Sequence, residues 1–444
     1  MAEIFPFAAY RYNLDRVSLP DVITQPYDKI TPAMQQRYVQ NSPYNLIAVE
    51  KGQPRPADSP ADNVYTRAEQ ALSTWIRDGV LRQDSSPGIY LYSQEYTVPG
   101  AAERRARTGF IALGRIEDYS AGTIFRHEQT LAGPKADRLE LLRHTRTHTG
   151  QLFMLYTDAT RRVDAILDQT AKAKPVGEVR DEYGVIHRIW PITDPAALAT
   201  IAREMADKKL VIADGHHRYE TALAYRNECR AANESGADRN APYEFTMMTL
   251  FNIYGEGLTI LPTHRVVSGI PDFSFDRFRE EMQRTFEWHA YRFANSEESD
   301  RLWEKFLGDL AERGRSRPAM GVFAGDSAFH LFILRREANL EALLPDVPPV
   351  QRKLDVVLLH KLMLQRGLGI TPDAVIRERN ITYEREAGLA VAAVESGRAQ
   401  ICFLLNSIPV TQVAEIALAG EVLPQKSTDF YPKLLSGMTL YRLE

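Results

Sequence analysis

Cysteine is nearly absent. The 444 residues hold two, Cys229 and Cys402. They lie far apart and lack partners at metal-ligand spacing, which argues against a disulfide framework or a zinc ribbon and predicts a reducing, cytoplasmic setting. No excess of basic charge is present either. The formal net charge is −4, so the chain exerts no general pull on nucleic acid or anionic membrane. No apolar run approaches the roughly 20 residues of a membrane helix. The stretch from Met1 to Pro6 lacks the basic region and apolar run of a signal peptide. Internal repeats and low-complexity tails are missing as well. What is there, 44% hydrophobic and 25% charged residues, is the composition of a globular protein. The length predicts two or three domains.

Periodicity sketches the elements. Pro6, Pro20, Pro26, Pro32 and Pro43 break up residues 1–50, where 46–50 reads as a short strand. Residues 64–79 have helical spacing. Strands over 89–98 and 108–116 form a hairpin. Residues 122–150 are polar and read as a loop at their start, around Ile124 to Thr130 and Pro134 to Arg138. Strands follow at 151–156, 184–190, 246–253 and 258–267, with helices at 163–174 and 195–208. Past residue 270 the pattern predicts two amphipathic helices, short strands and a helix over 354–366. The expected segments are 1–120, a core over 121–270, and 271–444 with a tail that returns to the cleft.

One stretch dominates the chemistry. Leu210, Val211, Ile212 and Ala213 run into Asp214, Gly215, His216, His217 and Arg218, after which helical spacing begins. This predicts a buried strand, a tight turn and a helix start. Asp214 is expected to cap the helix, and Gly215 to allow a sharp turn. A helix N-terminus favours an anion, Arg218 can fork onto phosphate or carboxylate, and either histidine could exchange a proton near neutral pH. The alternative is a capped helix with two half-exposed histidines.

Other constellations could join it. Arg126, His127 and Glu128, with Lys135 and Arg138, suit a loop that neutralises a charged ligand; a solvated surface loop is the plain alternative. His264 and Arg265 lie on a strand that could line the same cleft. Lys426, Ser427, Thr428 and Lys433 suggest phosphate contacts but lack the glycine spacing of a Walker loop. His144 and His148 have the spacing of a helical metal pair, yet no third ligand follows, so they read as structural.

The Asp-Gly-His-His-Arg turn followed by a helix resembles the ParB/sulfiredoxin superfamily, in which an arginine-bearing turn at a helix start holds nucleotide phosphates. The partition proteins carry a Gly-Glu-Arg-Arg version. Sulfiredoxins carry a Gly-Cys-His-Arg version, and the missing cysteine argues against their chemistry here. Archaeal free-serine kinases carry a version closer to this one. The wider pattern is similar to a bacterial family, domain of unknown function 1015, often labelled ParB-like. Its marks are Pro43-Tyr44-Asn45 with Val49-Glu50, Arg126–Glu128 with Lys135 and Arg138, Ala213 to Arg218, Ile260 to Arg265, and Gln425 to Thr428 with Phe430 to Lys433.

The resemblance implies an α+β fold with a ParB/sulfiredoxin-like mixed sheet at its core. It implies ATP or another nucleotide held by Arg218, a Mg²⁺ ion with Asp214 as a metal contact, and phosphoryl transfer to a small hydroxylated metabolite. Glu50 and Glu128 are the candidate bases. A nucleotide-gated DNA-binding protein, a non-catalytic sensor and a phosphohydrolase are the alternatives. No basic recognition helix is evident, which disfavours DNA.

Overall fold

A computed structural model describes residues 2–128, 133–233 and 238–444. Gln129 and Thr130 of the polar stretch lie outside them. The fold is α+β. The chain divides into two units, Met1–Thr259 with Phe430–Glu444, and Ile260–Asp429.

The first unit is built on a mixed sheet with nine strands among the described residues. In spatial order they are Ile124–Arg126, Leu210–Asp214, Leu152–Tyr156, Phe245–Asn252, Arg104–Arg115, Ile89–Thr97, Ile186–Ile192 and Gly177–Arg180; Ile4–Phe5 pairs with Arg104–Arg115. Leu210–Asp214 runs parallel to Ile124–Arg126 and antiparallel to Leu152–Tyr156. Strands from 89–115 and 152–252 thus share one sheet. The sequence-expected hairpin is present as Ile89–Thr97 and Arg104–Arg115, paired in register from Tyr90↔Ile111 to Thr97↔Arg104.

Alternation along the strands gives the sheet two different faces. One carries Leu91, Phe110, Leu152, Met154, Leu210, Ile212, Met248 and Leu250, packed under side chains from the helices Arg162–Thr170, Pro195–Met205 and His216–Ala232. At about 25 cal/mol per Å² of apolar surface removed from water, this burial is the main stabilising term. The opposite face carries Gln94, Arg107 and His187, polar groups that are nonetheless buried. The returning segment covers it: Phe430 packs edge-on against Phe153 at 5.3 Å.

A bulge modifies the strand that leads to the site. Ile212 pairs with Met154, yet Asp214 pairs with Phe153, so Ala213 is an extra residue. Regular alternation would place Asp214 on the core face with Ile212. The insertion moves it to the face of Phe153.

Two expectations are corrected here. Residues 46–50 form no strand; Ile47–Glu50 is a short helix. Five apolar-rich residues are too few for periodicity to arbitrate, and the Asn45 side chain accepts from the Ile47 amide at 2.9 Å to start the turn. Part of the expected loop at 122–150 is the helix Gly133–Thr145, packed against His216–Ala232 and Val64–Arg77. Its charged residues are used in tertiary ion pairs, which hides an apolar stripe.

The second unit holds a six-stranded antiparallel sheet in the order Phe286–Arg292, Ala328–Leu334, Ala319–Phe323, Ile401–Leu404, His264–Val267 and Ile381–Glu384. The helices Ser296–Gly314 and Ala387–Glu395 contribute to its core with Phe306, Leu310 and Val391. The expected strand over 258–267 is broken at Pro262 into Thr259–Leu261 and His264–Val267. Proline lacks the N–H that a continuous ladder needs. The expected helix at 354–366 begins as Asp355–Leu358 and widens into π-type turns over Leu359–Gly367.

Candidate functional site

The strand Leu210–Asp214 ends on a carboxylate, turns at Gly215 and starts the helix His216–Ala232. Gly215 has φ of +93°, a left-handed conformation that costs a side-chain-bearing residue. It is also the helix N-cap, and no side chain caps the helix. The expectation that Asp214 does so fails for a physical reason: its oxygens are taken by cations. Lys433 Nζ donates to Oδ1 at 2.7 Å and Arg218 Nη2 to Oδ2 at 3.1 Å. Burial works to raise the Asp214 pKa, but Lys433 and Arg218, with Lys29, outweigh it and hold the carboxyl well below its usual range.

Arg218 is anchored at a second point, donating through Nη1 to the Gln151 carbonyl. Gly150 precedes that residue. A Cβ there would lie 3.1 Å from Arg218 Nη1, 3.1 Å from Ser436 Oγ and 3.6 Å from Glu50 Oε1. Glu50 is therefore brought beside Arg218 across a glycine. It is 4% exposed, accepts from the Thr149 hydroxyl at 2.7 Å and pairs with Arg138 at 3.5 Å. Arg138 also donates to the Glu50 carbonyl at 2.7 Å and lies over the Tyr27 ring at 4.5 Å.

His127 and His216 form the neighbouring wall. His127 is fully buried. Its Nδ1 lies 2.6 Å from the Ile212 carbonyl; a carbonyl only accepts, so Nδ1 carries the proton. Burial pushes its pKa down to about 4, against the pull of that carbonyl and of Asp214. The His216 ring stands edge-on to it, with centroids 4.8 Å apart. Burial, with His127 next, pushes the His216 pKa well below the usual imidazole value. Its Nε2 is buried without a partner among the described residues.

Farther along the same helix, Glu220 meets Lys135 at 3.4 Å and Arg126 at 4.0 Å. Arg126 also lies over Tyr119, 5.1 Å from the ring centroid. His217 is half-buried in the helix's first turn, and Glu128 is half-buried beyond Ile124–Arg126.

The first unit thus collects Glu50, Arg126, His127, Lys135, Arg138, Asp214, Gly215, His216, Arg218 and Lys433. Glu128 and His217 lie in the same unit, while His264, Arg265, Lys426, Ser427 and Thr428 belong to the second unit. There His264 Nδ1 accepts from the Leu405 amide at 3.1 Å. Arg265 donates to the Lys426 carbonyl at 3.0 Å and lies over Tyr383. Ser427 donates to the Pro424 carbonyl, while Lys426 is exposed and Thr428 half-buried. His144 and His148 make no metal pair: His144 bonds the Glu140 carbonyl and stacks on Tyr65, and His148 stacks on Tyr441. Among the described residues no cluster of three or more His, Cys, Asp or Glu is placed to hold a metal. Asp214, engaged by two cations, does not fit the expected metal-ligand role.

Sequence reading missed Lys29, Gln151 and Arg107. Arg107 is 1% exposed and acts electrostatically with Asp214; burial lowers its pKa to about 10. The one available signal was an arginine inside a strand whose neighbours alternate as if it faced water.

The sequence profile of a family described as a protein of unknown function, DUF1015, matches residues 4–357. The chain belongs to the DUF1015 family. No curated protein matches this DUF1015 chain. Solved structures similar to it include a conserved hypothetical protein from Pyrococcus furiosus, at 12% identity, 72% coverage of this chain, 92% of that one and a TM-score of 0.33. A free serine kinase in complex with AMP has 11% identity, coverages of 71% and 89%, and a TM-score of 0.34. SbnI with a C-terminal truncation, from Staphylococcus aureus, has 10% identity, coverages of 73% and 85%, and a TM-score of 0.33. At such scores these likenesses carry no argument about function.

No helix among the described residues is long and apolar enough to cross a membrane.

Proposed function

We propose that the first unit binds the phosphates of a nucleotide, ATP among the candidates, and transfers a phosphoryl group to the hydroxyl of a small metabolite. One observation carries the reading. Two cationic side chains, Lys433 and Arg218, contact the Asp214 carboxylate at a helix start, and Lys29 and Arg107 add to the positive field around it. A partly buried excess of positive charge is stabilised by an anion, and the first turn of a helix offers N–H groups to the same ligand. The His216 Nε2, without a partner among the described residues, supplies one more polar contact.

Phosphoryl transfer needs positioning and charge stabilisation more than covalent chemistry. Arg218 and Lys433 would hold the oxygens of the transferred group. Glu50, across Gly150 from Arg218, would take the proton of the acceptor hydroxyl as its oxygen bonds phosphorus and the bond to the leaving diphosphate breaks. Asp214 keeps the two cations in place. Among the described residues no cluster of three or more His, Cys, Asp or Glu is placed to hold a metal, and no step is assigned to Mg²⁺.

The test is binding followed by product analysis. Calorimetric titration with ATP, ADP and CTP should show affinity that Arg218→Ala lowers at least about tenfold, a loss in keeping with a charge-assisted contact. Incubation with a panel of hydroxylated metabolites should then yield a phosphorylated product. No binding of any nucleotide would overturn the proposal. Phosphate release without acceptor would identify a hydrolase, and binding without turnover a sensor.

A further inference from the structure

We propose that Gln94 and Arg107 are positioning residues for Lys433, holding its ammonium group on Asp214. The inference rests on the phosphate-facing reading of Asp214, Arg218 and Lys433, and extends it to the two strands that carry Gln94 and Arg107.

Arg107 is 1% exposed, and among the described residues no carboxylate forms an ion pair with it. Burying a charge in that way is costly unless its hydrogen bonds are met. They are met in one pattern. Nε and Nη2 donate to Gln94 Oε1 at 2.8 and 2.5 Å. Nη1 donates to the Tyr431 carbonyl at 2.9 Å, and Nη2 also to the Pro432 carbonyl. The guanidinium lies 4.6 Å from the Phe153 centroid and 5.1 Å from that of Phe251. Each of these hydrogen bonds ends on Gln94 or on the backbone of the returning segment.

Gln94 pairs with Arg107 across one strand boundary and with His187 across the other, so the three form a row on one face. The guanidinium only donates, so the Gln94 amide must turn its oxygen towards it. The amide nitrogen then faces the returning segment and donates to the Lys433 carbonyl at 2.8 Å. Three consecutive carbonyls, of residues 431, 432 and 433, are thus gripped by two side chains. A lysine has a long, mobile stem, and fixing the backbone beneath it sets the point from which that stem reaches. From that anchored position Nζ reaches Asp214.

The experiment has two arms, both on the full chain. The first needs no ligand: lysines are acetylated at pH 8 and Lys433 is followed by peptide mass spectrometry. Its side chain is 10% exposed, so labelling is slow. Gln94→Glu keeps an acceptor for Arg107, now a charged one, and loses the donation to the Lys433 carbonyl together with the 3.4 Å contact to His187 Nδ1. It and Arg107→Met should each raise Lys433 labelling severalfold, while Lys208 keeps its rate. Unchanged Lys433 labelling in folded Gln94→Glu overturns the proposal, whether or not Arg107→Met folds. The second arm measures ATP affinity in a double-mutant cycle. Gln94→Glu should weaken binding about fivefold alone and have no further effect on Lys433→Met. Additive losses overturn the positioning role. Absence of ATP binding in the unaltered protein would remove the phosphate reading, and the labelling arm would still decide whether Gln94 holds Lys433.

Discussion

Lys433 and Asp214 stand 219 positions apart in the chain and meet at 2.7 Å. Their contact ties the returning segment to the end of the bulged strand. Lys433→Met should leave Asp214 with Arg218 as its one direct ion-pair partner among the described residues. The expected cost is about 2 kcal/mol of stability, the scale of a hydrogen bond to a charged group. Urea unfolding at pH 7 checks it. A loss indistinguishable from zero would show that Arg218 and water serve Asp214 equally well.

Acidification should weaken the fold partly through His127. Its folded pKa, about 4, lies below its ordinary value of 6.5. Between the two, the unfolded chain binds a proton that the native ring does not. This contribution is therefore complete above pH 6.5 and lost as pH falls towards 4, reaching up to about 3 kcal/mol. Unfolding free energies of His127→Gln should decline less steeply across that window. Equal slopes for variant and parent would contradict the assignment.

Glu50→Gln separates chemistry from binding. The amide oxygen can still accept from Thr149, while the proton acceptor is gone. A general base contributes about 10²–10⁴-fold, so kcat should fall by at least about 100-fold with nucleotide affinity retained. Retained turnover would remove Glu50 from the mechanism.

Gly150→Ala and Gly215→Ala probe two different constraints. At Gly150 the new methyl would sit 3.1 Å from Arg218 Nη1 and Ser436 Oγ. Arg218 must shift, so the loss should appear in ligand affinity, with stability changed by no more than about 1 kcal/mol. At Gly215 the φ of +93° is unfavourable to alanine, and the methyl would also lie 3.1 Å from Arg218 Nη2 and from Leu152 Cδ2, so affinity should fall there too. Stability there should fall by about 1–2 kcal/mol. Melting and titration of both variants distinguish the cases, and a reversed pattern would refute the geometry.

Much of this arrangement was legible before the fold was known. The strand, glycine turn and helix at 210–232 carry three consistent local signals: an apolar run, a left-handed turn residue and helical spacing. The hairpin of Ile89–Thr97 and Arg104–Arg115 is clear from its alternation. Other features depend on distant partners and leave little local trace. Gly133–Thr145 looked like a loop because Lys135, Arg138 and Arg143 spend their charge on Glu220, Glu50 and Glu228. The burial of Arg107 leaves no local trace because the segment that covers it lies more than 300 positions downstream. Lys426 and Lys433 looked like one constellation; the boundary between the two units passes between them.

The bulge at Ala213 has a consequence for how the site can be lost. No side chain at that position does the chemistry, so substitutions there test only packing. Deleting Ala213 is a different change. It would restore even alternation and turn the Asp214 carboxylate towards the core face, where Ile212 and Met154 pack, leaving Lys433 and Arg218 without their anion. The placement of the charge is written in the number of residues along the strand as much as in their identity.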